Sequence, residues 1–293
     1  MEKVIEKAKI LVEALPYIRE FRGKTFVIKI GGGSMDYETK KNFATDIVLL
    51  KFVGINPVVV HGGGPEITKA MEKLGKKPKF IEGLRITDKE TLDIVKMVLV
   101  GKINTEIVSK INAFGGIAVG LSGKDANLIV ARKKSPLRII KEGEEKEIDL
   151  GFVGEPKKIN SRLIEILTSN GYIPVISPLG ITEDGHTLNL NADTVAGEIA
   201  SALKAKKLII LTDVPGVLAN LEDEGSLLKE IRKEEVNKLI EEGVVRDSMI
   251  PKLKACVRAL DGGVERAHII DGRVKHSILL ELFTDEGIGT MVR

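Results

Sequence analysis

The chain has 293 residues, 43% hydrophobic and 30% charged, which suffices for one large α/β domain or two lobes sharing a sheet. A net charge of +3 and an aromatic content of 4% disfavour a nucleic-acid partner. The single cysteine, Cys256, excludes an internal disulfide. The sequence contains no signal-like run and no apolar run long enough to cross a membrane. Together with the single cysteine, this predicts a cytoplasmic protein without a membrane partner.

The first predicted element is an amphipathic helix over residues 2–15, in which apolar side chains recur at helical spacing. Pro16 is expected to bend or end it, while Tyr17 and Phe21 continue the apolar character. The helix precedes the first strand and is not needed to start the sheet. It either packs on its own subunit or forms an arm that packs against another subunit.

Residues 25–33, TFVIKIGGG, combine a buried strand with a glycine loop. Lys29 is unusual in such a strand, because its ammonium group must find a partner or lose hydration. The glycines, Gly31 and Gly32 among them, let a ligand approach free backbone N–H groups. A cation beside such a loop predicts an anion site, most plausibly for phosphate.

The same arrangement returns at residues 57–74, where a buried strand runs into His61-Gly62-Gly63-Gly64-Pro65 and a helix. Two such loops are moderately specific for an anion site, although both could be tight strand–helix turns. Neither matches a Walker A loop or a GxGxxG dinucleotide motif, so a dehydrogenase is disfavoured. His61 has no acidic residue near it in sequence, which favours a structural or positioning role over a base.

After residue 80, the arrangement of strand, glycine loop and helix no longer recurs. Thr87 is expected to cap a long helix that ends near residue 114, after a link at 80–85. A surface hairpin is predicted at 128–150, and Asn160 is expected to cap a helix to residue 170. The other predicted elements are a helix at 37–52, strands at 116–121 and 173–177, and a hairpin at 181–190 with its turn at 184–185.

Strand–helix alternation resumes after residue 190, with strands at 208–211 and 268–270. Helices are predicted at 191–204, 234–242 and 250–260, and residues 277–283 are helical or strand-like. Such alternation predicts an α/β fold with a mostly parallel sheet and helices on both faces.

Several further side chains are candidate site residues. Arg85 has the planar fork that suits a carboxylate, or it makes a surface ion pair. Lys252 lies in the first turn of a helix, where a cation is unfavourable unless it serves an anion. Asp193 holds the two lysines, or else Asp193 or Asn191 is a helix cap. Asp213, with the loop that contains Gly216, borders a nucleotide or is a capped turn.

Together these motifs resemble the amino acid kinase family over nearly the whole chain. The similarity rests on VIKIGGG, VVVHGGGPEI, GLRIT, GLSGKDANLI, LNLNADTVAG, LTDVPGV, SMIPKLKA and LLELFTDEGIGT. It implies an open three-layer αβα sandwich with a central, mostly parallel sheet. The implied divisions are an N-terminal oligomerisation helix at 1–22, an amino-acid lobe at 23–187 and a nucleotide lobe at 188–293.

The resemblance also implies phosphorylation of the γ-carboxylate of N-acetyl-L-glutamate by ATP in arginine biosynthesis. Mg²⁺ arrives with the nucleotide, and the protein itself holds no metal. By position, Lys29 and Lys252 stabilise the transferring phosphoryl group and Asp193 organises them. The implied substrate contacts are Gly63, Gly64, Arg85, Asn189 and Asn191; the implied nucleotide contacts are Gly31, Gly32, Asp213 and Gly216.

With its N-terminal helix, this chain resembles the arginine-inhibited members of the family. The resemblance implies a hexamer in which three dimers are joined by interlaced N-terminal helices. The implied arginine pocket contains Tyr17, His268, Glu281 and Gly287. Two alternatives to the acetylglutamate activity stay open: a relative that phosphorylates carrier-protein-linked aminoadipate or glutamate, and a non-catalytic amino-acid or nucleotide sensor.

Overall fold

The computed structural model describes residues 1, 5, 9, 11–31, 37–141 and 144–293. The helices in this part of the chain are α1 (Leu15–Phe21), α2 (Tyr37–Phe52), α3 (Gly64–Lys73), α4 (Lys89–Lys96), α5 (Thr105–Ala113), α6 (Arg162–Ser169), α7 (Ala192–Ala202), α8 (Val236–Glu241), α9 (Met249–Asp261) and α10 (Ser277–Phe283). A π-helical segment, Met97–Asn104, joins α4 to α5.

The strands of the described residues are likewise numbered in chain order. They are β1 (Thr25–Ile30), β2 (Asn56–His61), β3 (Phe80–Ile81), β4 (Leu84–Arg85), β5 (Ala118–Ser122), β6 (Ile129–Lys133), β7 (Leu137–Lys141), β8 (Glu144–Ile148), β9 (Gly154–Ile159), β10 (Ile173–Ser177), β11 (Leu179–Ile181), β12 (Thr187–Asn189), β13 (Lys207–Thr212), β14 (Glu230–Ile231), β15 (Arg266–Asp271) and β16 (Thr290–Val292).

The main sheet of the described chain has eight strands in the order β14–β16–β15–β13–β1–β2–β10–β5. All neighbouring pairs are parallel except β15 and β16. A smaller sheet, β12–β11–β6–β9, and the hairpin β7–β8 lie outside it. The prediction of an α/β fold with a mostly parallel sheet is therefore confirmed.

The strands of the main sheet contribute side chains alternately to two hydrophobic cores, one on each face. In β1, Phe26 and Ile28 belong to one core and Val27 to the other. Helices cover both faces, because α2 and the π-helical segment pack in the first core and α7 and α9 in the second. This period of two places Lys29 on the face of Val27, toward α7 and α9.

Two predicted helix caps are wrong, whereas Pro16 does lie where the N-terminal helix is interrupted: residues 11–13 are helical, residue 14 is in a turn, and Pro16 occupies the first turn of α1, where its missing N–H costs nothing. Thr87 is buried and donates to the Arg85 carbonyl, while Asp88 caps α4 by accepting from Thr91 N. Asn160 does not cap α6, since its side chain donates to the Asn127 carbonyl.

The N-terminal prediction falls partly outside the described residues. In the described part, residues 11–13 are helical. Four described apolar side chains of this N-terminal segment are about half or more exposed: Ile5, Leu11, Val12 and Leu15 are 49%, 75%, 67% and 51% exposed. In contrast, Phe21 at the end of α1 is buried in the core.

Candidate active site

Three charged side chains from distant parts of the chain meet at the centre of the molecule. Lys29 Nζ lies 2.8 Å from Asp193 Oδ1, and Lys252 Nζ lies 3.4 Å from Asp193 Oδ2. The side chains of all three are at most 11% exposed. Two ammonium groups thus share one buried carboxylate, which leaves one net positive charge in the cluster.

The elements that carry these residues explain why they meet. Lys29 comes from the central strand β1, and Asp193 and Lys252 come from the first turns of α7 and α9. Both helices pack on the face of the sheet to which Lys29 points. Gly197 on α7 permits a close approach of the helices, because a Cβ there would lie 2.7 Å from the Ala255 carbonyl oxygen.

The carboxyl group of Asp193 is ionised in this cluster. Burial alone would raise the pKa of Asp193, but the positive charges of Lys29 and Lys252 outweigh burial and hold the pKa below its ordinary value. Lys252 also donates to the Ser248 carbonyl at 3.0 Å. The cluster therefore holds two fixed cations in a buried site.

The two glycine loops meet beside this cluster. A Cβ on Gly31 would lie 3.0 Å from Lys29 Nζ and 3.3 Å from Gly62 Cα. A Cβ on Gly62 would lie 3.7 Å from Ala192 Cβ, at the start of the helix that carries Asp193. Gly62 N also donates to the Ile30 carbonyl at 2.8 Å. Backbone, lysine and helix start are thus brought together as the sequence predicts for an anion site; Gly32 lies outside the described residues.

The second loop presents backbone donors. The N–H groups of Gly63 and Gly64 donate no hydrogen bond to any described residue, and they lie at the N-terminus of α3. A Cβ on Gly64 would meet nothing within 4 Å, so this position is open. A helix N-terminus with free amides favours a negatively charged ligand.

Arg85 is attached to the same loop. One terminal nitrogen, Nη2, donates to the Gly64 carbonyl at 3.0 Å and to Thr68 Oγ1 at 2.8 Å. The guanidinium also lies 4.5 Å from the centroid of the Phe80 ring. With 7% exposure, Arg85 is held in a fixed position beside the second glycine loop.

The two asparagines lie at the end of β12 and the start of α7. Asn189 Nδ2 is 3.4 Å from Thr87 Oγ1, which in turn donates to the Arg85 carbonyl. Asn191 is the N-cap of α7, since its side-chain oxygen accepts from Thr194 N at 2.9 Å. That cap uses the carbonyl oxygen of Asn191 and leaves its amide nitrogen available for a ligand.

Asp213 and Gly216 follow β13, the strand beside β1. Asp213 is exposed at the carboxyl end of β13, where open α/β sheets bind ligands. Gly216 packs against the C-terminal strand: its φ is +155°, and a Cβ would lie 2.7 Å from Thr290 Oγ1. Thr290 Oγ1 in turn accepts from Val217 N, which anchors the loop.

A second buried cluster lies at the far end of β13. His268 Nδ1 donates to Glu281 Oε1 at 2.6 Å, and Glu281 Oε2 accepts from Ile288 N at 2.7 Å. Gly287, with a φ of +60°, lies beside this carboxylate. Tyr17 contacts the region from α1, through Asp285 and the ring of Phe21.

Sequence reasoning missed Lys207 in this second cluster. Lys207 Nζ is 3.2 Å from His268 Nε2 and 5.2 Å from the centroid of the Phe21 ring. Burial lowers the pKa of Lys207 to about 8. The signal was present, because a lysine that begins a buried strand is the same anomaly as Lys29.

The carboxyl group of Glu281 is ionised beside this lysine. Burial alone would raise the pKa of Glu281, but His268 and the two backbone N–H groups lower it below its ordinary value. Burial lowers the pKa of His268, so its Nδ1 carries the proton of a neutral ring. Within the described residues, the cluster offers one carboxylate and one cation about a neutral imidazole.

The described residues contain neither a metal-binding group of side chains nor a membrane-spanning helix. No three His, Cys, Asp or Glu side chains in this part of the chain are grouped so that they could hold a metal ion. None of the described helices has the length and apolar character needed to cross a membrane.

Comparison with known proteins identifies the class. The family model described as "Amino acid kinase family" matches residues 24–271. The chain therefore belongs to the amino acid kinase family. A curated relative from Methanocaldococcus jannaschii, named acetylglutamate kinase, is 58% identical over 293 residues, covering 100% of this chain and 98% of the relative.

Solved structures agree with the fold. N-acetylglutamate synthase from Neisseria gonorrhoeae, in complex with coenzyme A and N-acetyl-glutamate, has a TM-score of 0.83 and 29% identity. The alignment covers 97% of this chain but only 63% of the synthase. The same synthase in complex with coenzyme A and L-arginine gives a TM-score of 0.79, with 28% identity, over 97% of this chain and 65% of the synthase.

Proposed function

We propose that this chain transfers the γ-phosphoryl group of ATP to the γ-carboxylate of N-acetyl-L-glutamate, forming N-acetylglutamyl 5-phosphate in arginine biosynthesis. The observation that carries the proposal is the buried Lys29–Asp193–Lys252 cluster beside two glycine loops. The name of the Methanocaldococcus jannaschii relative supports the identity of the acceptor.

The chemistry requires charge stabilisation more than proton transfer. The acceptor carboxylate is already ionised at pH 7, so no general base is needed. An anion must instead attack an anionic phosphoryl group in line, and catalysis then depends on positioning and electrostatic stabilisation. Lys29 and Lys252 supply two cations from different elements, and free N–H groups of the second loop supply further donors.

Asp193 has a positioning role in this scheme. Its carboxylate balances part of the charge of the lysines and keeps both side chains in the cleft. Both carboxylate oxygens are already paired with lysine, so this donor set fits a Mg²⁺ ion held by the phosphates of ATP. When bound, Mg²⁺ adds positive charge at the phosphoryl oxygens.

The substrates are assigned to the two lobes. Residues 23–187 hold the acceptor, with Arg85 for its α-carboxylate and with Gly63, Gly64, Asn189 and Asn191 as further contacts. Residues 188–293 hold ATP, with Asp213 and Gly216 on the adenine side. Gly31 and Gly32, from the amino-acid lobe, reach the phosphates. The hydrogen bond from Arg85 to the Gly64 carbonyl supports the assignment of the acceptor, because it holds the carboxylate-binding residue beside the loop that supplies Gly63 and Gly64.

Arginine is the proposed feedback inhibitor, bound near His268, Glu281, Gly287 and Tyr17. The ionised carboxylate of Glu281 suits a guanidinium or an α-ammonium group, and Lys207 suits an α-carboxylate. Homo-oligomerisation through the N-terminal helix, as a hexamer of three dimers, is proposed with it. The exposed apolar side chains at residues 5, 11, 12 and 15 support an arm that packs on another subunit.

One assay tests the activity. The purified chain is given MgATP with N-acetyl-L-glutamate, with carrier-protein-linked aminoadipate, or with neither, and ADP release is followed with and without arginine. We expect turnover with N-acetyl-L-glutamate that arginine reduces. Turnover with the carrier-linked substrate alone would move the chain to the aminoadipate relatives, and no turnover with either would favour a sensor.

A further inference from the structure

A buried polar cluster lies on the face of the main sheet opposite Lys29. His61, Asn104 and Ser177 are 0%, 4% and 0% exposed. His61 Nε2 lies 3.0 Å from Ser177 Oγ and 3.2 Å from Asn104 Nδ2, and Asn104 Nδ2 lies 3.2 Å from Ser177 Oγ. The phosphoryl transfer described above uses none of these three side chains.

The fold brings the three together at the carboxyl ends of two strands. His61 ends β2, Ser177 ends β10, and Asn104 ends the π-helical segment. Asn104 Nδ2 also donates to the Val175 carbonyl at 2.9 Å. A Cβ on Gly120 would lie only 2.1 Å from Asn104 Oδ1, so β5 has a glycine where the asparagine enters. Interruptions of α-helices by π-helix often occur at functional sites.

The hydrogen bonds of the cluster all run from Asn104 toward the Gly62 carbonyl. His61 Nδ1 lies 3.0 Å from the Gly62 carbonyl oxygen, which can only accept, so Nδ1 carries the proton and Nε2 accepts. The Ser177 hydroxyl is nearer to His61 Nε2, at 3.0 Å, than to the Leu99 carbonyl, at 3.4 Å, and donates to the imidazole. Asn104 then donates to Ser177 Oγ.

This arrangement requires a neutral imidazole. Burial lowers the pKa of His61 to about 4, and the positive charge of Lys40 acts in the same direction. With Nδ1 donating to Gly62 and Nε2 already accepting, His61 has no free lone pair for a substrate proton. The chain of donors from Asn104 to Gly62 is therefore complete at neutral pH, and its members polarise one another.

The Gly62 carbonyl controls the direction of a backbone donor. In a trans peptide the C=O and N–H groups point to opposite sides, so holding Gly62 O toward His61 turns Gly63 N–H the other way. Ile103 and Leu99 pack closely against Gly63, because a Cβ there would lie 2.4 Å from Ile103 Cδ1 and 2.8 Å from Leu99 Cδ2. The π-helical segment supplies both these apolar contacts and Asn104.

We propose that His61, Asn104 and Ser177 are positioning residues that fix the plane of the Gly62–Gly63 peptide and so aim the Gly63 N–H at the reacting anion. The inference rests on the proposed function, since it assumes that an anionic acceptor or phosphoryl group meets this N–H. His61 acts through the backbone and touches no substrate.

Two substitutions of His61 separate its two hydrogen bonds. In His61→Asn, the side-chain amide can donate from the position of Nδ1 and keep the bond to Gly62. In His61→Gln, it reaches the position of Nε2 and loses that bond. Ser177→Ala removes the middle of the chain of donors, and His186→Gln, at an exposed hairpin histidine, is the matched control.

We expect His61→Gln to lower kcat by about tenfold or more, with the KM for ATP within about twofold, because one backbone donor is misaligned. His61→Asn should restore kcat to within about threefold of the parent, and Ser177→Ala should lie between the two. The shape of the pH profile of kcat should not change, since His61 transfers no proton. Hydrogen exchange of residues 62–67 should rise most in His61→Gln, less in Ser177→Ala and not in His61→Asn, and exchange of residues 208–212 should not change in any of them.

Full kcat in His61→Gln, or an equal loss in His61→Asn, would overturn the inference. A pH limb that disappears with His61 would also overturn it, in favour of a base. If the parent chain shows no turnover of N-acetyl-L-glutamate, the proposed function fails, and the exchange experiment then decides the positioning claim by itself. Unchanged exchange of residues 62–67 in His61→Gln and Ser177→Ala would then end it.

Discussion

Asp46 and His276 are joined by a 2.6 Å hydrogen bond from His276 Nδ1 to Asp46 Oδ1, although 230 residues separate them. Asp46 is 2% exposed on α2, and its carboxylate also accepts from the backbone N–H of Ile278 in α10. Because α2 follows the first glycine loop and α10 carries Glu281, this contact connects the candidate active site with the second cluster.

The Asp46–His276 bond is expected to contribute about 1 kcal/mol to the free energy of unfolding, since His276 is partly exposed. His276 has a φ of +56°, which asparagine and glycine both tolerate. His276→Asn should keep a donor and nearly full stability, whereas His276→Gly should lose the bond. Urea denaturation measures both, with Asp46→Asn and the double variants completing the cycle. Additive losses across that cycle would show that the pair contributes nothing.

Replacing either lysine of the central cluster should lower turnover far more than nucleotide affinity. Lys29→Ala and Lys252→Ala each remove a cation from the migrating phosphoryl group, at a cost of about 3 kcal/mol in the transition state, or roughly a hundredfold in kcat. Steady-state ADP release and ATP binding measure the two effects. The exposed Lys24→Ala and Lys254→Ala are matched controls. Near-normal turnover in either central variant would remove that lysine from the reaction.

Arg85→Lys should act on the acceptor alone. Lysine keeps the charge but loses the planar fork, together with the Nη2 atom that donates to Gly64 O and Thr68 Oγ1, so the KM for N-acetyl-L-glutamate should rise by about tenfold or more. The KM for ATP should stay the same. Arg132→Lys, on an exposed side chain of β6, controls for the exchange itself. An unaltered KM for the acceptor would place Arg85 outside the site.

Acid should destabilise the chain partly through His61. Its pKa of about 4 lies below the ordinary 6.5, so the folded state binds fewer protons than the unfolded state between these values. Stability therefore rises with pH across this window, and going from pH 7.5 to pH 5 should cost about 2 kcal/mol from His61. His61→Gln should show a correspondingly smaller loss. Burial raises the pKa of Asp46 to about 6, so protonation of Asp46 stabilises the folded chain as the pH falls. This contribution is the same in the parent and in His61→Gln, and it cancels when their losses are compared. Equal losses in both chains would contradict the prediction.

Removing the residues before α1 tests the proposed arm. A chain that begins at residue 14 keeps Tyr17 and Phe21, whose rings contact each other. We expect it to remain active as a dimer, with weaker inhibition by arginine, because the exposed apolar side chains no longer join dimers. Sedimentation velocity of both chains at equal concentration measures this. A shortened chain with the oligomeric state of the parent would refute the arm.

Much of the fold could be predicted because buried parallel strands have a strong sequence signal. Residues 26–28 and 208–211 are continuous apolar runs, and the structure has strands there. The short strands β14 and β16, near one edge of the main sheet, were missed, since two or three residues carry no periodicity. The strand β9 was missed because GEPKKI contains a proline and two lysines, and only its pairing with β6 makes it a strand. The cap at Asp88 was misplaced by one residue because Thr87 is equally suited to capping.

In the candidate site, too, some residues could be predicted from the sequence and others could not. Lys29 and Lys252 were recognisable because each contradicts a local preference, one for apolar strands and the other for the helix dipole. Contacts that depend on three-dimensional packing were not recognisable. Nothing in the sequence shows that Gly63 packs against Ile103, or that Asn104 reaches Ser177 through a π-helical segment.

The shared carboxylate of Asp193 has an evolutionary consequence. A chain that lost one of the two lysines would leave one oxygen of a buried carboxylate without its charged partner, at a cost in stability whether or not it still catalysed anything. Selection for folding alone should then remove the aspartate and the second lysine as well. Degenerate, non-enzymatic descendants of such a protein should therefore have lost positions 29, 193 and 252 as a group.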